Sequence, residues 1–167
     1  MRLARHLDCD GRSAVELIAR YPHRAPMVWE AALTPEGLST WFPAKVDYEP
    51  RPGGAIAFSG DPHQADSTGV VTQYEVGRRL AFFWGRSEIT LVLTPVDGTT
   101  DLVLIDRLAD PSEAVRNAAG WHERVAGLDR RHDVDTPERS WHELYGQYLQ
   151  LGFPHGAQVP GDADAGR

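Results

Sequence analysis

"GVVTQYEVGRRLAFFWG" (Gly69–Gly85) alternates on either side of a break. Gly69 to Tyr74 and Arg79 to Trp84 each follow the period of two expected of a half-buried strand, and Val76-Gly77 separates them with a residue free to take positive φ. Leu80, Phe82 and Trp84 fall on one face of the second run. Two strands this close in sequence pair antiparallel, and the rest of the chain can be read outward from them.

The same rhythm extends from Lys45 to Leu108. Strands are predicted at Lys45–Glu49, Ala55–Ser59, Gly69–Tyr74, Arg79–Trp84, Ser87–Thr94 and Thr99–Leu108, divided by "RPGG" (Arg51–Gly54), Val76-Gly77 and Asp97-Gly98. Asp97-Gly98 is the strongest of these hairpin signals. Ile89, Leu91 and Leu93 share a face, as do Leu102, Leu104, Asp106 and Leu108. An earlier alternation, Val15, Leu17, Ala19 and Tyr21, predicts a first strand over Ala14–Tyr21. Two short helices follow, one opened by Pro26 and one by Thr34-Pro35-Glu36, where Thr34 caps and Pro35 occupies the first helical position. Leu38, Trp41 and Phe42 then turn inward.

Beyond the strands, Asp110-Pro111-Ser112-Glu113 reads as a capping box that starts a long helix. Ala114, Ala118, Trp121, Val125 and Leu128 form its apolar stripe. Gly127 weakens that helix by about 1 kcal/mol relative to alanine. Thr136-Pro137-Glu138 is expected to start a last helix, with Trp141, Leu144, Tyr145, Tyr148 and Leu149 as its stripe. The remainder, 156–167, is rich in Gly, Pro, Asp and Ala and is expected to be disordered, leaving residues 1–155 as one domain.

The tripeptide Trp-His-Glu occurs in both helices, at Trp121-His122-Glu123 and Trp141-His142-Glu143. A helical His-Glu pair opens the zinc-protease signature, which needs a second histidine four positions on so that both imidazoles share a helix face. Ala126 and Gly146 stand there instead. The shared element is therefore expected to be a packing tryptophan, with each His-Glu as its polar shoulder, and no metal is expected. No serine lies in a G-x-S-x-G elbow, and no glycine pattern suits a phosphate. Cys9, the only cysteine, lies in a polar arm ahead of the predicted first strand and has no identifiable base.

At 167 residues the chain can bury about 70% of its unfolded surface without a disulfide. A net charge of -7 argues against nucleic acid, which requires clustered Lys and Arg. Met1–Arg12 lacks the apolar core of a signal peptide, and no apolar run is long enough to span a membrane, so a cytoplasmic protein with no membrane partner is expected.

The order of elements, together with "VWEAALTPEGLSTWFP" (Val28–Pro43), "RPGGAIAF" (Arg51–Phe58), the opening stretch and "AAGWH" (Ala118–His122), resembles the START-like, or SRPBCC, superfamily. The branch is similar to the bacterial proteins named for the activator of the heat shock protein 90 ATPase. The resemblance runs from about Val15 to Leu151. It implies an α+β helix-grip fold, a curved seven-stranded antiparallel sheet wrapped around a long C-terminal helix with two short helices after the first strand. The charged segment "ERVAGLDRRHD" (Glu123–Asp133) departs from the leucine-rich segment expected of relatives.

Such a fold commonly leaves a cavity between sheet and helix. Trp41, Phe42, Tyr48, Phe58, Tyr74, Phe82, Trp84, Leu91, Asp106, Trp121 and Val125 are its candidate lining, with Asp106, Gln73 or a tyrosine hydroxyl to orient a ligand. Filling an ordinary core is the competing fate of the aromatics. For Asp106 two readings stand equally: a ligand contact among leucines, or a solvated carboxylate near an open end. Binding of a small apolar or aromatic molecule without turnover is the favoured function, and no cofactor is expected. Cyclase-like acid–base catalysis on such a molecule is the enzyme alternative, and a co-chaperone-type interaction ranks third. A homodimer is compatible with all three.

Overall fold

Two Asp-Gly dipeptides reverse the chain with both residues at positive φ, Asp97 and Gly98 at 47° and 81°, and Asp10 and Gly11 at 54° and 77°. That is the twist a two-residue hairpin demands. The first of these joins the two strands expected to flank it. The second creates a strand absent from the sequence reading. In the computed structural model, which describes residues 1–159, β1 (Arg5–Cys9) pairs with β2 (Arg12–Tyr21), so Cys9 ends an edge strand and does not lie in a free arm.

The remaining strands are β3 (Lys45–Tyr48), β4 (Ala55–Ser59), β5 (Ser67–Glu75), β6 (Arg79–Trp84), β7 (Ser87–Val96) and β8 (Thr99–Arg107). The sheet therefore has eight strands where seven were expected, in the order β1-β2-β8-β7-β6-β5-β4-β3, with every pair antiparallel. β3 to β8 form the meander, and β8 closes on β2. Between β2 and β3 run α1 (Ala25–Ala32) and α2 (Pro35–Leu38), the latter capped by Thr34, whose hydroxyl accepts from the Gly37 amide at 3.1 Å. Gly37 is required by close approach, because a Cβ there would lie 2.5 Å from the Glu30 carbonyl oxygen.

α3 (Ala114–Arg131) is the long helix held by the sheet, and its expected stripe, Ala114, Ala118, Trp121, Val125 and Leu128, is buried. α4 (Trp141–Gln150) packs on α3. The helix-grip arrangement is thus present. Both helix starts differ from expectation. Asp110 caps a single 3₁₀ turn over Pro111–Glu113 by accepting from the Ser112 amide, whereas the reciprocal capping box belongs to Ser140 and Glu143, and Thr136 stays outside α4. Thr136 is occupied elsewhere, its hydroxyl donating to Asp129 at 2.7 Å.

Of the segment 156–167, residues 156–159 are described. The Ala157 amide donates to the Ser112 carbonyl and Arg116 donates to the Gln158 carbonyl, so residues up to 158 lie along the start of α3. The rest of that segment, 160–167, falls outside the described residues.

Candidate functional site

β8 alternates as its sequence requires: Leu102, Leu104 and Asp106 are buried, while Asp101, Val103, Ile105 and Arg107 are not. Asp106 is therefore carried inward with the leucines and is fully buried. Its Oδ2 accepts from Trp121 Nε1 at 2.8 Å and from Asn117 Nδ2 at 2.9 Å. The two donors stand one helical turn apart on α3, which puts both over the same strand residue. Oδ1 has no hydrogen-bond partner among the described residues. Burial raises the carboxyl pKa above its usual value; Trp121 and Asn117 oppose that rise, and nearby Ser87 opposes it more weakly without reaching Oδ1 in hydrogen-bond geometry. The solvated reading of Asp106 is overturned, because no part of it reaches water.

Around this carboxylate the aromatic residues converge. Phe42, which follows α2, is the hub, with ring centroids 4.9 Å from Trp84, 5.5 Å from Trp121, 5.7 Å from Phe58 and 5.8 Å from Phe82. Trp41 meets Trp121 edge-on at 6.3 Å, and its own indole N–H donates to the Ala32 carbonyl. Most of these contacts are tilted or edge-to-face, the geometries that the ring quadrupole favours. Trp84 alone of the cluster is only half-buried, since it ends β6 at the sheet margin. The rings fill the space between sheet and α3 in this conformation.

Not all of the predicted lining joins this group. Tyr74 packs on Trp29 and Tyr48, and the Tyr48 hydroxyl donates to the Leu33 carbonyl at 2.6 Å, so these form a second aromatic group beside α1. Leu91 and Val125 are buried aliphatic core. Gln73 points outward and accepts from Arg79, which removes it as a ligand-orienting group. Asn117 was not anticipated. Its signal was available: it sits four positions before Trp121, a polar residue beside an otherwise apolar stripe.

His122 also departs from its expected role. It is 7% exposed, not a polar shoulder, and its Nδ1 lies 2.7 Å from the Tyr148 hydroxyl on α4. That hydroxyl accepts the Ala4 amide at 2.9 Å, so its own proton goes to His122, which is held neutral with Nδ1 as acceptor. Burial pushes the imidazole pKa down to about 4. Glu123 and His142 are exposed, and Glu143 serves the α4 cap.

Residues 23–133 match the family model described as Activator of Hsp90 ATPase homolog 1-like protein. The chain belongs to this family. The match spans α1 to the end of α3, and with it the helix, strands and carboxylate just described. No curated protein sequence was found to match. Among solved structures, the chain is similar to CalU16 from Micromonospora echinospora, with 22% identity over 90% of this chain and 96% of that one at a TM-score of 0.70. A conserved protein from Enterococcus faecalis superposes with 17% identity over 89% of each chain at 0.69. DynU16, a protein of the dynemicin biosynthetic locus, gives 21% identity over 84% of this chain and 48% of its own at 0.58. At these identities the likenesses speak for the fold alone, the helix-grip arrangement of sheet and long helix described above. Among the described residues no helix is long and apolar enough to cross a membrane.

Proposed function

We propose that the protein binds a small apolar or aromatic molecule bearing one hydrogen-bonding group, between the sheet and α3, with Asp106 as its polar contact. The observation that carries this reading is the fully buried carboxylate whose Oδ1 has no partner while Oδ2 has two. A half-satisfied buried carboxylate costs several kcal/mol relative to an apolar side chain of similar volume, and a site for a ligand offsets that cost where mere packing does not. The ring cluster supplies the apolar surface. Trp84, half-buried at the margin of the cluster, is its most accessible ring. CalU16 and DynU16 support the reading only through shared architecture.

The raised pKa of Asp106 favours one second reading: a protonated carboxyl among aromatic rings is suited to act as a general acid on a bound carbonyl. Fluorescence titration with a panel of apolar and phenolic dyes, comparing wild type with Asp106→Leu, tests both. Phenolic dyes should bind wild type saturably and weaken in the variant, while purely apolar dyes bind it as well or better. Identical profiles remove Asp106 from the site, and an absence of saturable binding in wild type removes the site. Turnover of an added ketone-bearing aromatic by wild type alone would establish the second reading.

A further inference from the structure

The two edges of the sheet are finished differently. At β3 the edge is covered by the end of α2, where Ser39 Oγ accepts from the Val46 amide at 2.9 Å. At β1 a cover exists only just ahead of the strand, where the Ala4 amide donates to the Tyr148 hydroxyl. Which groups stay open follows from the register. The two-residue Asp10-Gly11 hairpin makes Cys9 and Arg12 a hydrogen-bonded pair, and the alternation of an antiparallel ladder assigns the same state to Leu7–Ala14 and Arg5–Glu16. His6 and Asp8 lie between these pairs. Their N–H and C=O groups therefore point away from β2, as the Ala4 amide does, and both residues are exposed. Among the described residues no backbone group from outside the sheet bonds to them.

An open edge is a template for another strand, and Arg5–Cys9 is complementary to itself when read antiparallel. With Leu7 on a twofold axis, His6 faces the partner's Asp8 and Asp8 faces the partner's His6. These are the residues whose backbone groups point outward, so each pair exchanges two N–H···O bonds and sets an imidazole beside a carboxylate. Ser13 Oγ engages one ring nitrogen of His6, which leaves the other for that carboxylate. A shift of two residues would oppose histidine to histidine or aspartate to aspartate. A shift of one would oppose outward groups to a residue already bonded to β2. Charge agrees with this choice of partner: two copies of a chain of net charge -7 repel on average, but this strand carries Arg5 and His6 against Asp8 alone. We propose that β1 is the docking edge for a second copy of this chain, joining two eight-stranded sheets across a twofold axis at Leu7. So short a contact makes a weak, reversible dimer. Cys9 takes no covalent part, because it faces the partner's Arg5 and not the partner's Cys9.

Sedimentation equilibrium of the full chain from about 10 μM to about 1 mM should show a reversible monomer–dimer equilibrium that reductant does not alter. Asp8→Pro deletes one outward N–H and leaves the bonds to β2 in place, so association should weaken roughly tenfold or more with the thermal melt retained. Asp8→Lys, which sets a lysine against the partner's His6, should also weaken association, and combining it with His6→Asp should restore it. Cross-linking reads the register. In a Cys9→Ser background, Leu7→Cys should oxidise to a covalent dimer, because a non-hydrogen-bonded pair brings its Cα atoms to about 4.5 Å, within disulfide range. A wild type that stays monomeric up to about 1 mM would overturn the proposal. So would a dimer indifferent to Asp8→Pro, or a dimeric Leu7→Cys variant that does not cross-link.

Discussion

The two copies of Trp-His-Glu share three letters and almost nothing else. In α3, Trp121 is 3% exposed and donates to a buried carboxylate, and His122 is bonded to Tyr148. In α4, Trp141 is half-buried against Tyr145 at 4.9 Å, His142 is exposed, and Glu143 closes a capping box with Ser140. The first copy lies mid-helix, where the sheet covers one side and α4 the other. The second begins its helix, where the unsatisfied amides of the first turn matter more than the core. A local pattern thus acquires its chemistry from its distance to a helix end and from what packs above it.

The sharpest way to break that contrast is to truncate the tryptophans. Trp121→Ala should cost about 3 to 5 kcal/mol, because it opens the core and strips Asp106 of a donor, while Trp141→Ala should cost about 1 to 2. Urea denaturation of both variants provides the comparison, and equal losses would mean that α3 is not the helix held by the sheet. Next in size is His122→Ala, expected to cost about 1 to 3 kcal/mol because it leaves the Tyr148 hydroxyl proton unpaired, against less than about 0.5 for His142→Ala.

The histidine contrast can be sharpened by pH. A folded-state pKa of about 4 lies below the ordinary 6.5, so the unfolded chain takes up the proton first. The stabilising contribution of neutral His122 is therefore complete above pH 6.5 and is lost as pH falls toward 4. Asp106 works in the opposite direction, since its raised pKa lets the folded state hold a proton that the unfolded state has released, and acidification then relieves the cost of its charge. His122→Asn keeps an acceptor for Tyr148 but does not titrate. Its melting temperature should fall less steeply than wild type between pH 6.5 and 4, and parallel curves would show that His122 is not the group responsible. The smallest effect concerns the cap: Ser140→Ala should cost about 1 kcal/mol and show as fraying of α4 by circular dichroism, with α3 unaffected.

Much of the scaffold was legible because it depends on neighbours in sequence. The alternation of Leu80 and Phe82, and of Leu102, Leu104 and Asp106, survives directly as burial, and Asp97-Gly98 turns as its composition demands. Asp10-Gly11 carries the same dipeptide, yet β1 escaped notice because "RHLDC" sits on a sheet edge, where both faces are largely open and no hydrophobic alternation is imposed. The inward direction of Asp106 could be read; its bonds could not, since its partners lie 11 and 15 residues away on another element. His122 was misjudged for the same reason. Nothing local to "GWHER" reveals a tyrosine 26 residues further on.

The Tyr148 hydroxyl joins Ala4 to α4 across 144 positions of chain, and through His122 to α3 as well. Closing a loop of that length is entropically costly and brings little until the meander and α3 have already docked. In the order of folding this oxygen belongs after the rate-limiting step. Disrupting it should accelerate unfolding and leave the refolding rate nearly unchanged. The contact therefore acts as a brake on opening, governing how long a folded molecule lasts and not how quickly one is made.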